Sequence, residues 1–131
     1  MEDPELSAVI YDEVEFPDAR LQVAAVLASL ADPMHQQRVW VAGTPERQDA
    51  VDNLTLVVHV LYDDIRVLDD PEAAVGEVLR DDAEARAMHA LADLLNPLID
   101  ELGDAHDSDY LASVRWPAVV EAARTALRSM T

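Results

Sequence analysis

Apolar residues recur at spacings of three and four along most of the chain, the period that gathers side chains on one face of an α-helix. The clearest stripe is Met88, Leu91, Leu95, Leu98 and Leu102. It predicts a long helix capped by Asp81 or Asp82. Pro97 should kink or split that helix after Leu95, because its ring lacks an N–H and crowds the preceding turn. Val23, Val26, Leu27 and Leu30 predict a helix over 17–31, and Val51, Leu54, Val58 and Leu61 predict another from Pro45. Val75, Val78 and Leu79 suggest a helix over 71–80, and Val120, Ala123, Leu127 and Met130 a last one from Pro117. A short helix is expected over 33–42, with Gly43 as its stop. Pro17, Pro33, Pro45, Pro71 and Pro117 each open one of these stretches, where the missing N–H has no intrahelical partner to lose. Asp32, Thr44 and Asp70 stand before three of them as N-caps.

One segment reads two ways. The run LTLVVHVLY (54–62) is rich in valine and would suit a strand, with IRVL (65–68) as its hairpin partner across Asp63-Asp64. Asp-Asp is a poor two-residue hairpin turn, however, and the three/four spacing continues upstream through Val51. Helix is favoured there. The expected fold is all-α: a compact single-domain bundle of about five to seven short helices over 16–131, behind an acidic arm over 1–15. The alternative is α+β, with a hairpin at 54–68.

Composition narrows the picture. At 131 residues the chain suits one domain, large enough to bury about two thirds of its unfolded surface. Aromatics make up only 5% of it, so the core must be built of Leu, Val and Ala. Cysteine is absent, which excludes disulfides, thiolate metal sites and cysteine nucleophiles. No stretch approaches the roughly 18 apolar residues of a membrane span. The opening MEDPELSAVIYDEVEF is acidic where a secretory leader is basic, so a cytoplasmic location is expected.

Charge changes the functional picture most. Twenty-seven acids against nine bases leave a net charge of −18, and every base is arginine. Such a charge repels nucleic acids and anionic membranes, because binding them depends on neutralising phosphates. A basic protein would be attracted. Residues 1–18 hold seven acids and no base, 63–84 hold nine acids against Arg66 and Arg80, and 100–109 hold five and no base. The plainer account of such runs is solvated loops and helix ends.

Candidate chemistry centres on HVLYDDIRVLDDPE (59–72), with five carboxylates, one histidine and one arginine. His59 and Asp63 are four apart and share a face on a helix, a spacing that suits one metal ion with Asp64 or Asp69 completing its shell. The same pair suits acid–base work if a carboxylate fixes the imidazole tautomer. The bland alternative is a partly buried core histidine, facing the interior and tethered by Asp63. Carboxylates at a helix C-terminus are electrostatically misplaced, which suggests a use for Asp63 and Asp64. GDAHDSDY (103–110) lacks the spacing of a calcium loop and reads as a polar linker in which Ser108 or Asp109 caps a short turn. Phosphate-binding glycine loops, paired zinc histidines and a serine nucleophile elbow are all missing from the sequence. Trp40 and Trp116 suit core-edge positions, and Tyr62 is the better interface aromatic by position.

VVHVLYDDIRVLDDPEAAVGEVLRDDAEA resembles a family of small, acidic, largely uncharacterised actinobacterial proteins. The resemblance rests on His59, Tyr62, Asp63, Asp64, Pro71, Val75, Gly76, Leu79 and Glu84. It extends through Leu98, Gly103, Tyr110, Trp116, Val120 and Ala123, and upstream through Phe16, Pro17, Arg20 and Trp40, covering about residues 16–127. Several members of that family look like immunity proteins, which neutralise secreted toxins. The resemblance thus implies a protein-binding antidote and supplies no catalytic residue.

The leading expectation is a non-enzymatic domain that binds a basic protein, a toxin if the resemblance holds, and needs no cofactor. Its partner-binding residues would be Tyr62, Asp63, Asp64, Asp69, Asp70 and Glu72. The alternative is a small metal-binding protein or metal-dependent enzyme centred on His59 and Asp63. A third reading, a module with a helical partner, requires an apolar patch near Trp116 and Val120.

Overall fold

Seven helices carry the regular structure in the computed structural model, which describes residues 14–41 and 53–131. Helix α1 spans Pro17–Leu30, and α2 spans Pro33–His35 and continues as a π-helical turn, Gln36–Val41. Helix α3 spans Leu54–Val58 and likewise continues as a π-helical turn, His59–Asp64. Short α4 (Pro71–Ala74) leads to the long α5 (Asp82–Leu102), then α6 (Asp107–Leu111) and α7 (Trp116–Ser129). Helices α5, α7 and α1 pack in that order as the frame, with α3 against α1 and α4 against α5. None of the described helices is long and apolar enough to cross a membrane.

The all-α expectation holds: no strand occurs among the described residues, only an isolated bridge between Val75 and Leu79. The hairpin alternative at 54–68 is overturned. Leu54, Val57, Val60 and Leu61 are all buried, a helical spacing, whereas a strand would bury every second residue. The helix also has good caps. Asn53 Oδ1 accepts from Leu56 N–H at 2.8 Å, and Asp107 Oδ2 reaches from α6 to accept from Leu54 N–H at 3.1 Å. The expected start at Pro45, with Thr44 and Val51, lies outside the described residues, as do Gly43 and most of the arm over 1–15.

Of the long stripe, Met88, Leu91, Leu95 and Leu98 are fully enclosed and Leu102 is partly buried against the core. Pro97 does not split the helix, however. It lies on the exposed face, as does Asp93, whose carbonyl would have received its missing N–H. Water can take that bond. Asp32, Asp70 and Asp81 cap α2, α4 and α5, each accepting a backbone N–H. Ser108 and Asp109 are no caps, because α6 already starts at Asp107. Trp116 and Val120 are buried, so they present no outward apolar patch. Trp116 instead meets Trp40 and Tyr110 edge-on, with ring centroids 6.3 and 6.5 Å away. Its Nε1 donates to Gln36 Oε1 at 3.0 Å, while Gln36 Nε2 donates to the Ser29 and Leu30 carbonyls that end α1.

Helix α4 stops at Ala74 instead of running to Arg80. Val75 turns extended, and Gly76 takes φ +91°, a conformation that side-chain-bearing residues rarely adopt. The reason is tertiary. The Gly76 and Glu77 carbonyls accept from Glu15 and Phe16 N–H at 2.9 and 2.7 Å, and the Val78 carbonyl accepts from Arg20 at 3.0 Å. Of these three carbonyls only that of Gly76 would have had a donor within a helix ending at Arg80, and that donor, Arg80 N–H, is bonded to Glu84 Oε1 at 2.8 Å instead.

Arg20 is the centre of this arrangement. It is fully buried in α1 and forms a two-pronged pair with the equally buried Glu84, at 2.6 and 2.9 Å. The guanidinium also donates to Met130 O at 3.0 Å, and Glu84 Oε1 accepts Arg80 N–H at 2.8 Å. Losing one partner of a buried pair strands the other charge and costs about 3–5 kcal/mol, a large part of a domain's roughly 5–15 kcal/mol. Glu84→Ala and Arg20→Ala should each therefore lower the urea midpoint sharply. Arg20→Met with Glu84→Leu should be more stable than either single variant, since no lone charge remains; a double variant less stable than both would refute this account.

Candidate functional site

The winding of α3 sets the geometry around His59. Ile65 N–H donates to the Val60 carbonyl, five residues back, at 3.0 Å. Such a widened turn is uncommon and recurs near functional sites. In an ordinary α-helix only Asp63 would share the face of His59. Here the residues four and five along straddle the ring: Nδ1 donates to Asp63 Oδ2 at 2.9 Å, and Nε2 lies 3.4 Å from Asp64 Oδ1. The inward side of α3 is occupied by Leu54, Val57, Val60 and Leu61. His59 therefore points outward, its side chain 58% exposed, which corrects the expectation of an interior histidine.

This arrangement bears on both chemistries read from the sequence. The two carboxylates sit at opposite ring nitrogens, so one ion cannot be bound by a ring nitrogen and both acids together. Among the described residues no three His or acid side chains are grouped to hold a metal. For acid–base work, Asp63 orients the ring, but Nε2 faces Asp64 instead of open space.

The remaining expected site residues are close in sequence and differ in employment. Asp69 accepts from Arg66 Nε at 3.0 Å. Asp70 Oδ1 caps α4 through Ala73 N–H at 3.3 Å. Glu72 pairs with His89 of α5, and that hydrogen bond holds its carboxyl below the usual range. Tyr62 is half-buried against the core and donates to Asn96 Oδ1. Burial first, and the negative charge of Asp100 second, push its phenol up to about 12.

The fold also joins two segments far apart in sequence. Helix α3 and the end of α5 run antiparallel, with Leu54 bonded to Asp107 at one end and Tyr62 bonded to Asn96 at the other. Between them lies a cleft of about 360 Å³ lined by Leu54, Val58, Ile99 and Tyr110 and by His59, Asp63, Asp104 and Asp107. A second cavity adjoins it, sharing Val58 and Ile99 and lined also by Tyr62, Asn96 and Asp100. His59 and Asp63 thus share a groove with Asp104 and Asp107 of the GDAHDSDY loop. Ile99 and Asp100 were not singled out in the sequence; Val58 was read only as part of a helical stripe, and Asp104 only as part of the polar GDAHDSDY linker. The available signal was Asp100 in the last turn of a helix, where a carboxylate opposes the negative end of the dipole.

The described residues form an acidic, all-helical domain with an open groove of mixed apolar and carboxylate lining. The chain belongs to the DUF7945 family, a domain of unknown function, which it matches over residues 14–131. Comparisons with curated proteins and with solved structures each found no match.

The tyrosine at the groove's end offers a direct test of its field. An ultraviolet titration should show Tyr62 ionising near 12, above the ordinary value of 10, and Asp100→Asn should lower it. A phenol raised on folding stabilises the fold fully below pH 10, and that contribution disappears as pH rises from about 10 to about 12. Asp100→Asn should also raise stability at neutral pH by about 0.3–1 kcal/mol, because it removes a charge from the wrong end of a helix. A Tyr62 titration unchanged by that substitution would show that Asp100 does not act on it.

Proposed function

We propose that the protein is a non-catalytic binding domain that captures a basic protein by charge-steered association, in the manner of an immunity protein masking a toxin in the cytoplasm. The observation that carries this reading is how the charges are distributed. Arg20, Arg66, Arg80, Arg115 and Arg124 are each engaged with acids of the same chain. The Asp100 and Asp104 carboxylates make no hydrogen bond or ion pair among the described residues, and that of Asp64 has only the longer contact with His59. With a net charge of −18, the surplus negative charge attracts cations and basic partners.

Asp69, Asp70 and Glu72 are occupied locally and Asp63 is bonded to His59 through Oδ2, so Asp64 is the least engaged member of the expected partner-binding set, with Asp63 and Tyr62 at its side. An attractive field of this kind raises association rates toward about 10⁸–10⁹ M⁻¹s⁻¹ and weakens steeply with salt. That speed suits an antidote that must meet its toxin before the toxin meets its target.

Capture from the native host's lysate with tagged protein, washed at low and then moderate salt, should retain one basic protein in stoichiometric amount. With that partner purified, Asp63→Asn combined with Asp64→Asn should slow association and flatten its salt dependence. Unchanged affinity at low salt would remove these two residues from the interface.

A further inference from the structure

Resting on the binding-domain reading, we infer that the groove between α3 and the end of α5 is the docking site for an arginine-bearing segment of the basic partner. The floor is apolar and only partly covered: Val58 and Ile99 pack on the core beneath and face the cleft above. Carboxylates stand on both sides, Asp63 from α3 and Asp104 from the loop after α5, and Asp100 extends the row past Ile99. Among the described residues no arginine lines either part of the groove. Arginine fits this combination through two distinct parts. Its aliphatic stem covers apolar surface, and its flat, weakly hydrated guanidinium meets carboxylates in paired hydrogen bonds.

Three observations strengthen the match. At about 360 Å³ the cleft is at the small end of ligand-site volumes, suited to one or two side chains. Tyrosines at both ends sense its negative field: Tyr110 is pushed above its usual value by burial first and then by Asp104 and Asp107, and Tyr62 by burial and then Asp100. The groove is also braced at each end by a bond between its two walls, Leu54 N–H to Asp107 and Tyr62 to Asn96, so its width is set before any partner arrives. A second copy of this chain is the wrong occupant, because like net charges of −18 repel.

The test uses a hexa-arginine peptide as probe and methyl NMR of the whole protein at low salt. Saturable shifts at Val58 and Ile99 are expected. Affinity should fall at least about tenfold in Asp63→Asn/Asp104→Asn, and less in Glu77→Gln/Asp93→Asn, which removes equal charge outside the groove. Asp63 and Asp104 are exposed, so the fold should tolerate the change; Asp107 is left intact because it caps α3. Binding that leaves Val58 and Ile99 unmoved, with both double variants equally weakened, would overturn the groove and leave the charge-steered reading standing. Failure of the peptide to bind at all would overturn both. Displacement of the peptide by spermidine at equal charge concentration would assign the groove to small polycations and overturn the arginine-segment assignment.

Discussion

The buried pair of Arg20 and Glu84 is the constraint around which the rest of the bundle is arranged. Its two charges sit in the interior with hydrogen bonds from or to the Val78 turn, Arg80 and the chain end at Met130. Two buried ions cost more to desolvate than their attraction alone returns, so the site is tolerable only when those extra bonds are made. That requirement reaches outward. Helix α4 ends early so that the Val78 carbonyl faces Arg20, and the start of the described chain lies against the same turn. No buried side-chain nitrogen or oxygen is left without a hydrogen bond among the described residues. A polar core satisfied this fully favours one packing over alternatives that would break some of its bonds.

Gln36 plays the corresponding part at the other end of α1. Its amide closes the last carbonyls of that helix and receives Trp116, which in turn holds Trp40 and Tyr110 edge-on. Tyr110 donates to the Gly103 carbonyl at 2.6 Å, fixing the loop after α5. The loop that supplies Asp104 and Asp107 to the groove is therefore anchored to the aromatic cluster. Structure and site are linked here by one chain of contacts, from α1 through Gln36 and Trp116 to the groove's acidic rim.

The acids at the ends of α3 and α5 work against the stability of their own helices, because they face the negative ends of the dipoles. A fold selected only for stability would place them elsewhere, as it places Asp32, Asp70 and Asp81 at helix starts. The cost is a fraction of the domain's stability, whereas the proposed capture of a basic partner gains in rate and selectivity from the same charges. Charged surfaces at exposed helix ends are screened by salt, which makes ionic strength the natural variable for separating their functional part from their structural one.

Much of the fold was legible in local pattern. Apolar residues three and four apart marked α1, α5 and α7, and prolines preceded by Asp marked the starts of α2 and α4, because helix geometry and capping depend on neighbours in sequence. The site was legible only in part. His59, Tyr62, Asp63 and Asp64 stood out by residue type, but the outward turn of His59 and its place between two carboxylates depend on a widened helical turn that no spacing announces. The early end of α4, the pairing of Arg20 with Glu84 across 64 positions, and the meeting of His59 and Asp63 with Asp104 were also hidden. The sequence by itself determined most of the helical segments, the faces they bury and the sign of the molecule's charge, since these follow from local periodicity and summed charge. Only the tertiary structure decided which polar groups share the interior and which acids share a groove, because those choices depend on donors and acceptors that meet only when distant segments pack.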